Sequence, residues 1–375
     1  MGYGRTNLAL GPINVLANRV RPIIMGVKRQ ISSSATAWER TDGSIGMVAN
    51  ATKNGGVVQN DFDTAPIYAD ILTMDISANG TINRKYGDAD FSFTNPVGYI
   101  VTYFPEFWYK RWQEGGYEYI QISNVEQSGF NHSEAFYIGR YTATGSSSAV
   151  TCKSGLANFV NVSITDLRTY AKKIGSGWGL YDVSRFSLLQ ILYLVEYADY
   201  NSQDKLGYGN CNSSAAINTG SCDSLGMKSG CLNNNKQSGV IYRGVENPFA
   251  NIYQWLDGIN ISSKRAYICY DRNQYTSDKT SSPYVQLGYA DASSNGYAKK
   301  VGYDPNNPLI QRATETGGSD STYIPDRFGS SSGLTAVYVG GDWGSGLNCG
   351  LWSWYYNNSS NSNTYFGGRL LFIPV

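Results

Sequence analysis

The sequence has little charge, a single histidine and no paired cysteine motif, and each shortage excludes a class of protein. Charged residues make up 16% of the 375 residues, and the formal net charge is +1. Nucleic acid is not expected as a partner, because binding to a phosphate backbone requires a surplus of basic residues. A zinc site is not expected either, since no C-x-x-C pair accompanies the histidine. We predict neither a metal nor a cofactor.

The sequence also lacks the features that direct a chain into a membrane. Its longest apolar run, 188–195, is far shorter than the roughly 20 residues that span a bilayer. The sequence does not begin with a basic segment followed by an apolar stretch, so no secretory signal is predicted. In a chain made in the cytosol, cysteines are reduced by default. A disulfide is the alternative for Cys211, Cys222 and Cys231, which share a Gly/Ser/Asn-rich segment.

Tyrosine and glycine, in contrast, are abundant. The 30 tyrosines and 42 glycines predict a protein rich in turns and strands with aromatic surfaces. A hydrophobic content of 41% is sufficient for a core. Residues 98–109 predict an apolar strand that breaks at Pro105, and residues 117–123 alternate as a half-buried strand does.

Two helices are predicted in the middle of the chain. Ser163 and Asp166 form a capping box that opens a helix over 164–174. Asp182 is placed to cap a second helix over 183–200. The second helix is apolar almost all round, which is typical of a helix buried in a core.

The segment 337–375 differs from the rest of the chain. Two short apolar runs, 336–339 and 370–373, bracket a middle that combines aromatic rings with asparagine and serine. Rigid rings bring contact area at low rotamer entropy, and small polar groups adapt their hydrogen bonds, as in antigen-binding loops. We predict a binding surface here; a Tyr/Asn-rich strand segment of an ordinary domain is the alternative.

Two motifs carry a resemblance to known families. Residues 340–350 read G-G-x-W-x-x-G-x-x-C-G, and residues 367–370 read G-G-R-L. With the run between them, they resemble the variable region of diversity-generating-retroelement proteins, a group that includes phage tropism determinants. Residues 244–258 resemble the G-N-[VI]-W-E-W signature of formylglycine-generating-enzyme-like domains, with Tyr253 and Gln254 in place of Trp and Glu.

The resemblance implies a fold and a division of labour among residues. The implied fold is an α+β C-type lectin fold, with mainly antiparallel strands, two helices and long ordered loops. Scaffold roles are implied for Gly340, Gly341, Trp343, Cys349, Gly350, Gly368 and Arg369. Ligand contacts are predicted for Asp342, Ser345, Asn348, Trp352, Trp354, Tyr355, Tyr356 and Asn358.

The function that follows is that of a receptor-binding or tropism protein encoded by a phage or prophage. Its partners would be a bacterial surface receptor, protein or glycan, and other virion tail proteins. Relatives are often trimers, so a homo-oligomer is expected, located on the virion or on the bacterial surface. Two alternatives stay open: a fixed structural tail or baseplate protein, and an enzyme that degrades surface polysaccharide.

Catalytic chemistry finds little support in the sequence. There is no G-x-S-x-G motif and no phosphate loop. A copper oxidase of the formylglycine-generating type needs a close pair of cysteines, and only Cys349 lies in the matching region. His132 is interpreted as a structural, hydrogen-bonded histidine. We expect a protein that is not an enzyme.

The chain is divided into two parts on composition. Residues 1–35 are predicted to form an N-terminal arm for assembly or attachment, since a basic and apolar stretch there is interrupted by Pro22. Residues 36–375 are predicted to form the lectin-fold domain, with the variable binding region at 337–370.

Overall fold

A computed structural model of the chain describes residues 23–374, which fold mostly into strands with few helices. The strands are β1 (Ile24–Gln30), β2 (Glu39–Asp42), β3 (Leu72–Ile76), β4 (Ile82–Lys85), β5 (Tyr99–Phe104), β6 (Phe107–Glu114), β7 (Tyr117–Ser123), β8 (Asn131–Ser133), β9 (Phe136–Thr142), β10 (Thr144–Ser146), β11 (Ala149–Thr151), β12 (Trp178–Leu180), β13 (Ile241–Tyr242), β14 (Val245–Glu246), β15 (Tyr253–Ser262), β16 (Arg265–Ile268), β17 (Val285–Gln286), β18 (Gly296–Val301), β19 (Ala313–Thr316), β20 (Ile324–Phe328), β21 (Thr335–Val339), β22 (Trp354–Asn357), β23 (Phe366–Gly367) and β24 (Arg369–Phe372). The α-helices are α1 (Ile164–Lys172), α2 (Val183–Tyr197) and α3 (Ser202–Leu206), and single 3₁₀ turns lie at Asp61–Thr64, Tyr68–Asp70, Asp223–Leu225, Arg272–Gln274 and Gly346–Asn348.

Most strands of the described residues belong to three larger sheets. Their orders are β2-β1-β7-β6-β8, then β12-β24-β9-β5-β3-β4, and finally β17-β16-β15-β21-β22-β20-β18-β19 with β23 beside β15. The pairs β15–β23 and β20–β22 are parallel. The predicted strand at 98–109 is observed as β5 and β6, which are separated at Pro105. Among residues 23–374, no helix is long and apolar enough to cross a bilayer.

Part of the predicted N-terminal arm belongs to the folded sheet. Strand β1 lies between β2 and β7 and pairs with both, and Met25 and Val27 are buried in the core. The predicted boundary at residue 35 is therefore wrong for residues 24–30. Ile24 and Val27 are β-branched, and such residues favour strands. Residues 1–22 lie outside the described residues, and their predicted role stays a prediction.

Both predicted helices are observed, with caps where the sequence placed them. The Ser163 hydroxyl accepts a hydrogen bond from the backbone N–H of Asp166, and Asp182 accepts one from that of Arg185. Every residue of α2 except Arg185 is buried. The helix ends at Tyr197 because Ala198 adopts a left-handed conformation. It packs against β1 and β7 on one side and β15 on the other, which confirms a core helix.

A buried arginine joins the sheets close to the C-terminal motif. The Arg369 guanidinium donates to the backbone carbonyls of Gly139 and Arg140 at 2.8 Å and to that of Asn247 at 2.9 Å. It also donates to the carbonyl of Glu246 at 2.6 Å and to Oε1 of Gln254 at 2.9 Å. These contacts connect β24 to β9, β14 and β15.

The partner of Arg369 on β15 is an amide rather than a carboxylate. Gln254 donates in turn to the Asn247 carbonyl at 2.9 Å, so the amide bridges the arginine and the β14–β15 connection. Burial lowers the pKa of Arg369 to about 10, which leaves the guanidinium charged at neutral pH. The predicted scaffold role of Arg369 is confirmed.

Replacement of Arg369 by methionine should strongly destabilise the protein. The variant would remove the donor shared by five acceptor oxygens in a dry interior, of which the Asn247 carbonyl keeps a second donor in Gln254. Each buried group left unsatisfied costs about 1–3 kcal/mol. We expect urea denaturation to show a loss of at least about 3 kcal/mol. The exposed Arg327 is the matched control, and Arg327→Met should change stability by less than about 0.5 kcal/mol. Equal losses in the two variants would contradict the role given to Arg369.

Candidate binding face

The predicted variable region is built on the antiparallel pair β21–β22. Val339 lies opposite Trp354, and Tyr338 lies opposite Tyr355. The chain leaves β21 through Gly340 and Gly341, which both have positive φ. A Cβ atom on Gly341 would lie 2.4 Å from the Cys349 sulfur, so this turn requires glycine. The predicted scaffold roles of both glycines are confirmed.

Successive side chains of β22 point to opposite faces of the sheet. Trp354 joins the core cluster that contains α2, together with Val339. Tyr355 lies on the other face, where its ring stacks on Tyr338 with centroids 5.8 Å apart and an interplanar angle of 6°. Tyr356 follows on the core side at the sheet margin, half-buried beside Gly329.

The structure contradicts the predicted surface role of Trp352 and Trp354. Each ring is only 1% exposed. Trp354 meets Phe186 of α2 edge to face at 5.1 Å. Trp352 packs against Tyr193 at 5.7 Å and against Tyr200 at 4.9 Å. The two tryptophans close the core between α2 and the large sheet, so they cannot contact a ligand.

Asp342 and Ser345 form a closed turn rather than a pair of free contacts. Asp342 is 9% exposed, and its carboxylate accepts hydrogen bonds from the Gly344 backbone N–H and from the Ser345 hydroxyl. The Ser345 oxygen is also 2.9 Å from the hydroxyl of Tyr253. Asn348, in the following 3₁₀ turn, is half-buried. These residues position the neighbouring tyrosine.

Tyr253 is the functional candidate that the sequence prediction missed. Its ring lies 4.6 Å from Tyr338, 5.7 Å from Tyr355 and 6.1 Å from Tyr365, measured between centroids. It was predicted only as part of the 244–258 signature, in which it replaces a tryptophan. A half-buried tyrosine at that point signals a ring with one polar end at the surface.

The asparagine and serine residues form a loop that leads from Tyr355 to Tyr365. Asn358, exposed as predicted, accepts hydrogen bonds at Oδ1 from the N–H and hydroxyl of Ser360. Oδ1 of Asn363 likewise accepts hydrogen bonds from the N–H and hydroxyl of Thr364. We name the surface formed by Tyr253, Tyr355, Tyr365 and the loop 357–364 the tyrosine face. Its loop is held by its own side chains and exposes several of them.

The tyrosine face is neutral in character. Burial raises the pKa of Tyr253 and that of Tyr355, so both phenols keep their protons at neutral pH. Arg327 is an exposed cation nearby on β20. The face therefore offers aromatic surface, hydroxyl groups and amides rather than a cluster of charges.

Beside this region the structure brings two cysteines close together, which the sequence analysis did not predict. All six cysteines are free and buried. The thiol of Cys349 lies near that of Cys211 and lowers the pKa of Cys211, whereas burial raises the pKa of Cys349. Cys349 thus has a cysteine neighbour from a distant part of the chain. Both side chains are fully enclosed by the core.

Comparisons with known proteins report on the chain as a whole. No family model matches the sequence, and no curated protein matches it. Among solved structures, it is similar to the Major Tropism Determinant U1 variant, with 12% identity, a TM-score of 0.32, and coverage of 85% of this chain and 74% of that chain. The M1 variant gives 11% identity and a TM-score of 0.31, with the same two coverages.

A second kind of solved structure is also similar. PvdO from Pseudomonas aeruginosa shows 11% identity and a TM-score of 0.32, with coverage of 73% of this chain and 94% of that chain. At this level of similarity, none of these structures carries an argument about function. The proposals below are argued from the residues of this chain.

Truncation of Trp354 should act on stability. Trp354→Ala would leave a large cavity between α2 and the sheet, and such changes cost about 3–5 kcal/mol. Ser362→Ala changes an exposed side chain and should cost less than about 0.5 kcal/mol. Thermal and urea denaturation of both variants test this. An unchanged melting temperature in Trp354→Ala would show that the ring is not part of the core.

The carboxyl group below the tyrosine face should make stability dependent on pH. Asp326 accepts the Trp352 backbone N–H at 2.6 Å, and burial raises its pKa well above 3.8. The native state therefore retains a proton that the unfolded state loses, and the unfolding free energy falls as pH rises above about 4. Asp326→Asn keeps the acceptor oxygen and should flatten this fall between pH 4 and 8, as measured by urea denaturation. Asp320→Asn, at an exposed position, is the control; equal slopes in both variants would contradict the assignment.

Proposed function

We propose that this protein is a phage or prophage receptor-binding protein that recognises a bacterial surface ligand through the tyrosine face. The observation that supports the proposal is the convergence of Tyr253, Tyr355 and Tyr365 beside an exposed Asn/Ser loop. The three rings come from separate strands or loops, so the fold assembles the surface from distant parts of the chain.

The composition of the face suits recognition. Tyrosine combines a large apolar ring with a hydroxyl group and loses little rotamer freedom on binding. Aromatic residues also dominate the binding energy of many interfaces. The rings of Tyr253 and Tyr355 pack against each other and against Tyr338. They are therefore ordered before a ligand binds, which reduces the entropic cost of association.

Binding without turnover is part of the proposal. The side chains that the face presents are neutral phenols, hydroxyls and amides, which exchange hydrogen bonds but do not supply acid–base chemistry at neutral pH. The carboxylate nearby, Asp342, is held within its own turn by Gly344 and Ser345. We therefore propose a binding protein rather than an enzyme.

The C-type lectin fold and diversification by a retroelement belong to the same proposal. The support is the C-terminal motif, which begins directly after β21, and the placement of Asn, Ser and Tyr at exposed or half-exposed positions of 355–365. A trimer on the virion tail or on the bacterial surface would raise a weak single-site affinity by multivalency.

Binding to bacterial cells should depend on the tyrosine face. We expect purified protein to label a subset of strains in a panel, and Tyr355→Ala or Tyr365→Ala to reduce that labelling at least about tenfold, since such anchors contribute 2 kcal/mol or more. Tyr117→Ala, a half-buried tyrosine on β7, is the matched control and should bind as the unsubstituted protein does. Labelling that survives both face substitutions, in variants with unchanged melting temperatures, would refute the proposal.

Natural variation should follow the burial pattern. If a retroelement diversifies this region, sibling isolates will differ at half-exposed or exposed positions such as Tyr355, Asn358 and Ser360, while Trp352 and Trp354 stay constant. Sequencing of the locus in several isolates, with a search for a near-copy of the 337–370 coding segment, tests this. An invariant 355–365 segment across isolates with different hosts would favour a fixed structural tail protein.

A further inference from the structure

A polar cleft lies at the other end of β24 from the tyrosine face. Tyr365 and β23 precede β24, whereas Ile373 and Pro374, which line the cleft, follow it. Its volume is about 510 Å³. The other walls come from the end of α1, the turn before β12, the first turn of α2 and the loop 270–275. Neither the sequence motifs nor the tyrosine face involves this cleft.

Two guanidinium groups share one buried carboxylate at the base of the cleft. Asp182 is fully buried. Its carboxylate is 3.2 Å from Nη1 of Arg185 and 3.9 Å from Nε of Arg272. Tyr275 donates its hydroxyl to the same carboxylate at 3.2 Å. One negative charge thus faces two positive charges.

Both arginines keep donors available for a ligand. Among the described residues, Arg185 has one hydrogen-bonded side-chain contact, to Asp182, and Arg272 has one, to the Gly177 carbonyl at 3.1 Å. A guanidinium carries five N–H donors. Desolvation lowers the pKa of Arg272, which reflects a cation that lacks full compensation in a partly buried place.

The surrounding charges leave an excess of positive charge at depth. Asp257, also in the wall, is neutralised by Arg168 through bonds of 2.6 and 2.9 Å. Lys172, in the last turn of α1, is exposed and adds its charge to the lining rather than to the depth of the cleft. The N-terminus of α2, at Val183, adds partial positive charge.

The rim of the cleft has the opposite character. Glu134 and Asp271 are exposed carboxylates on the lining. The Asp271 carboxylate already accepts a hydrogen bond from the Gln274 side chain at 2.8 Å. Tyr270 is 49% exposed, and its hydroxyl is fixed by a 2.9 Å bond to Asn307. Acceptors beside an open aromatic ring suit the hydroxyl groups and the apolar face of a sugar.

We propose that this cleft binds an acidic sugar, with its oxyanion group between Arg185 and Arg272 and its hydroxyl groups toward the rim. Arginine pairs recognise planar carboxylates in bidentate geometry. The carboxylates at the rim disfavour a ligand that is negatively charged throughout. Gly179 permits the approach of Arg272, since a Cβ there would lie 3.0 Å from Nη2. The site is independent of the tyrosine face and would add a second ligand contact.

Calorimetric titration with four small probes tests the site. We expect glucuronate and N-acetylneuraminate to bind the unsubstituted protein with millimolar affinity, and neutral glucose not to bind. Arg272→Gln should weaken binding of the acidic sugars at least about tenfold, which corresponds to one charge-assisted hydrogen bond. Arg272→Lys should give an intermediate affinity. Asp182 keeps Arg185 as partner in both variants, so folding is retained.

Glucose 6-phosphate distinguishes the two sources of an oxyanion. Tighter binding of this probe than of glucuronate, lost in Arg272→Gln, would support an oxyanion site and assign it to a phosphorylated sugar. Lys228→Gln, at an exposed position elsewhere, should leave all affinities unchanged. Absence of binding by all three acidic probes, or binding that Arg272→Gln does not alter, would overturn the proposal. The labelling of cells through the tyrosine face is a separate measurement that Arg272→Gln should not affect.

Discussion

The contacts of one guanidinium group determine how the sheets of this protein meet. Arg369 sits in a dry interior and satisfies backbone carbonyls of β9 and of the β14 turn, together with the Gln254 side chain. Backbone carbonyls that turn away from a ladder are costly in a core unless a donor reaches them. An arginine can serve several at once because its donors point outward in a fixed plane. In the irregular backbone around 246–254, which carries Tyr253, this side chain supplies donors to the carbonyls of Glu246 and Asn247.

The tyrosine face and the core are two sides of the same short strand. Trp354 and Tyr355 are neighbours in sequence, yet one completes the packing around α2 and the other lies against Tyr253. The core that packs under Trp354 therefore also supports the rings of the tyrosine face. The loop that follows is braced by its own asparagine side chains.

Local signals in the sequence predicted local structure well. The caps at Ser163 and Asp182, the break at Pro105 and the glycines after β21 each depend on a few adjacent residues, and the structure agrees with all of them. The burial of Trp352 and Trp354 could not be predicted in this way, because composition alone does not show which face of a four-residue strand meets α2. Tyr253 and Cys211 were missed for a related reason: their neighbours lie about a hundred residues or more away in the chain.

The pairing of β24 with β9 has a consequence for how the chain folds. These strands lie far apart in sequence, and Leu371 pairs with Ile138. Until residues 369–372 have been synthesised, the sheet that contains β3, β5 and β9 is incomplete, because the edge of β9 that pairs with β24 has no partner. Closure of such distant contacts is slow compared with helix formation, and an unpaired edge is open to association with other chains. Synthesis in the cell thus passes through a stage in which association between nascent chains competes with completion of the sheet.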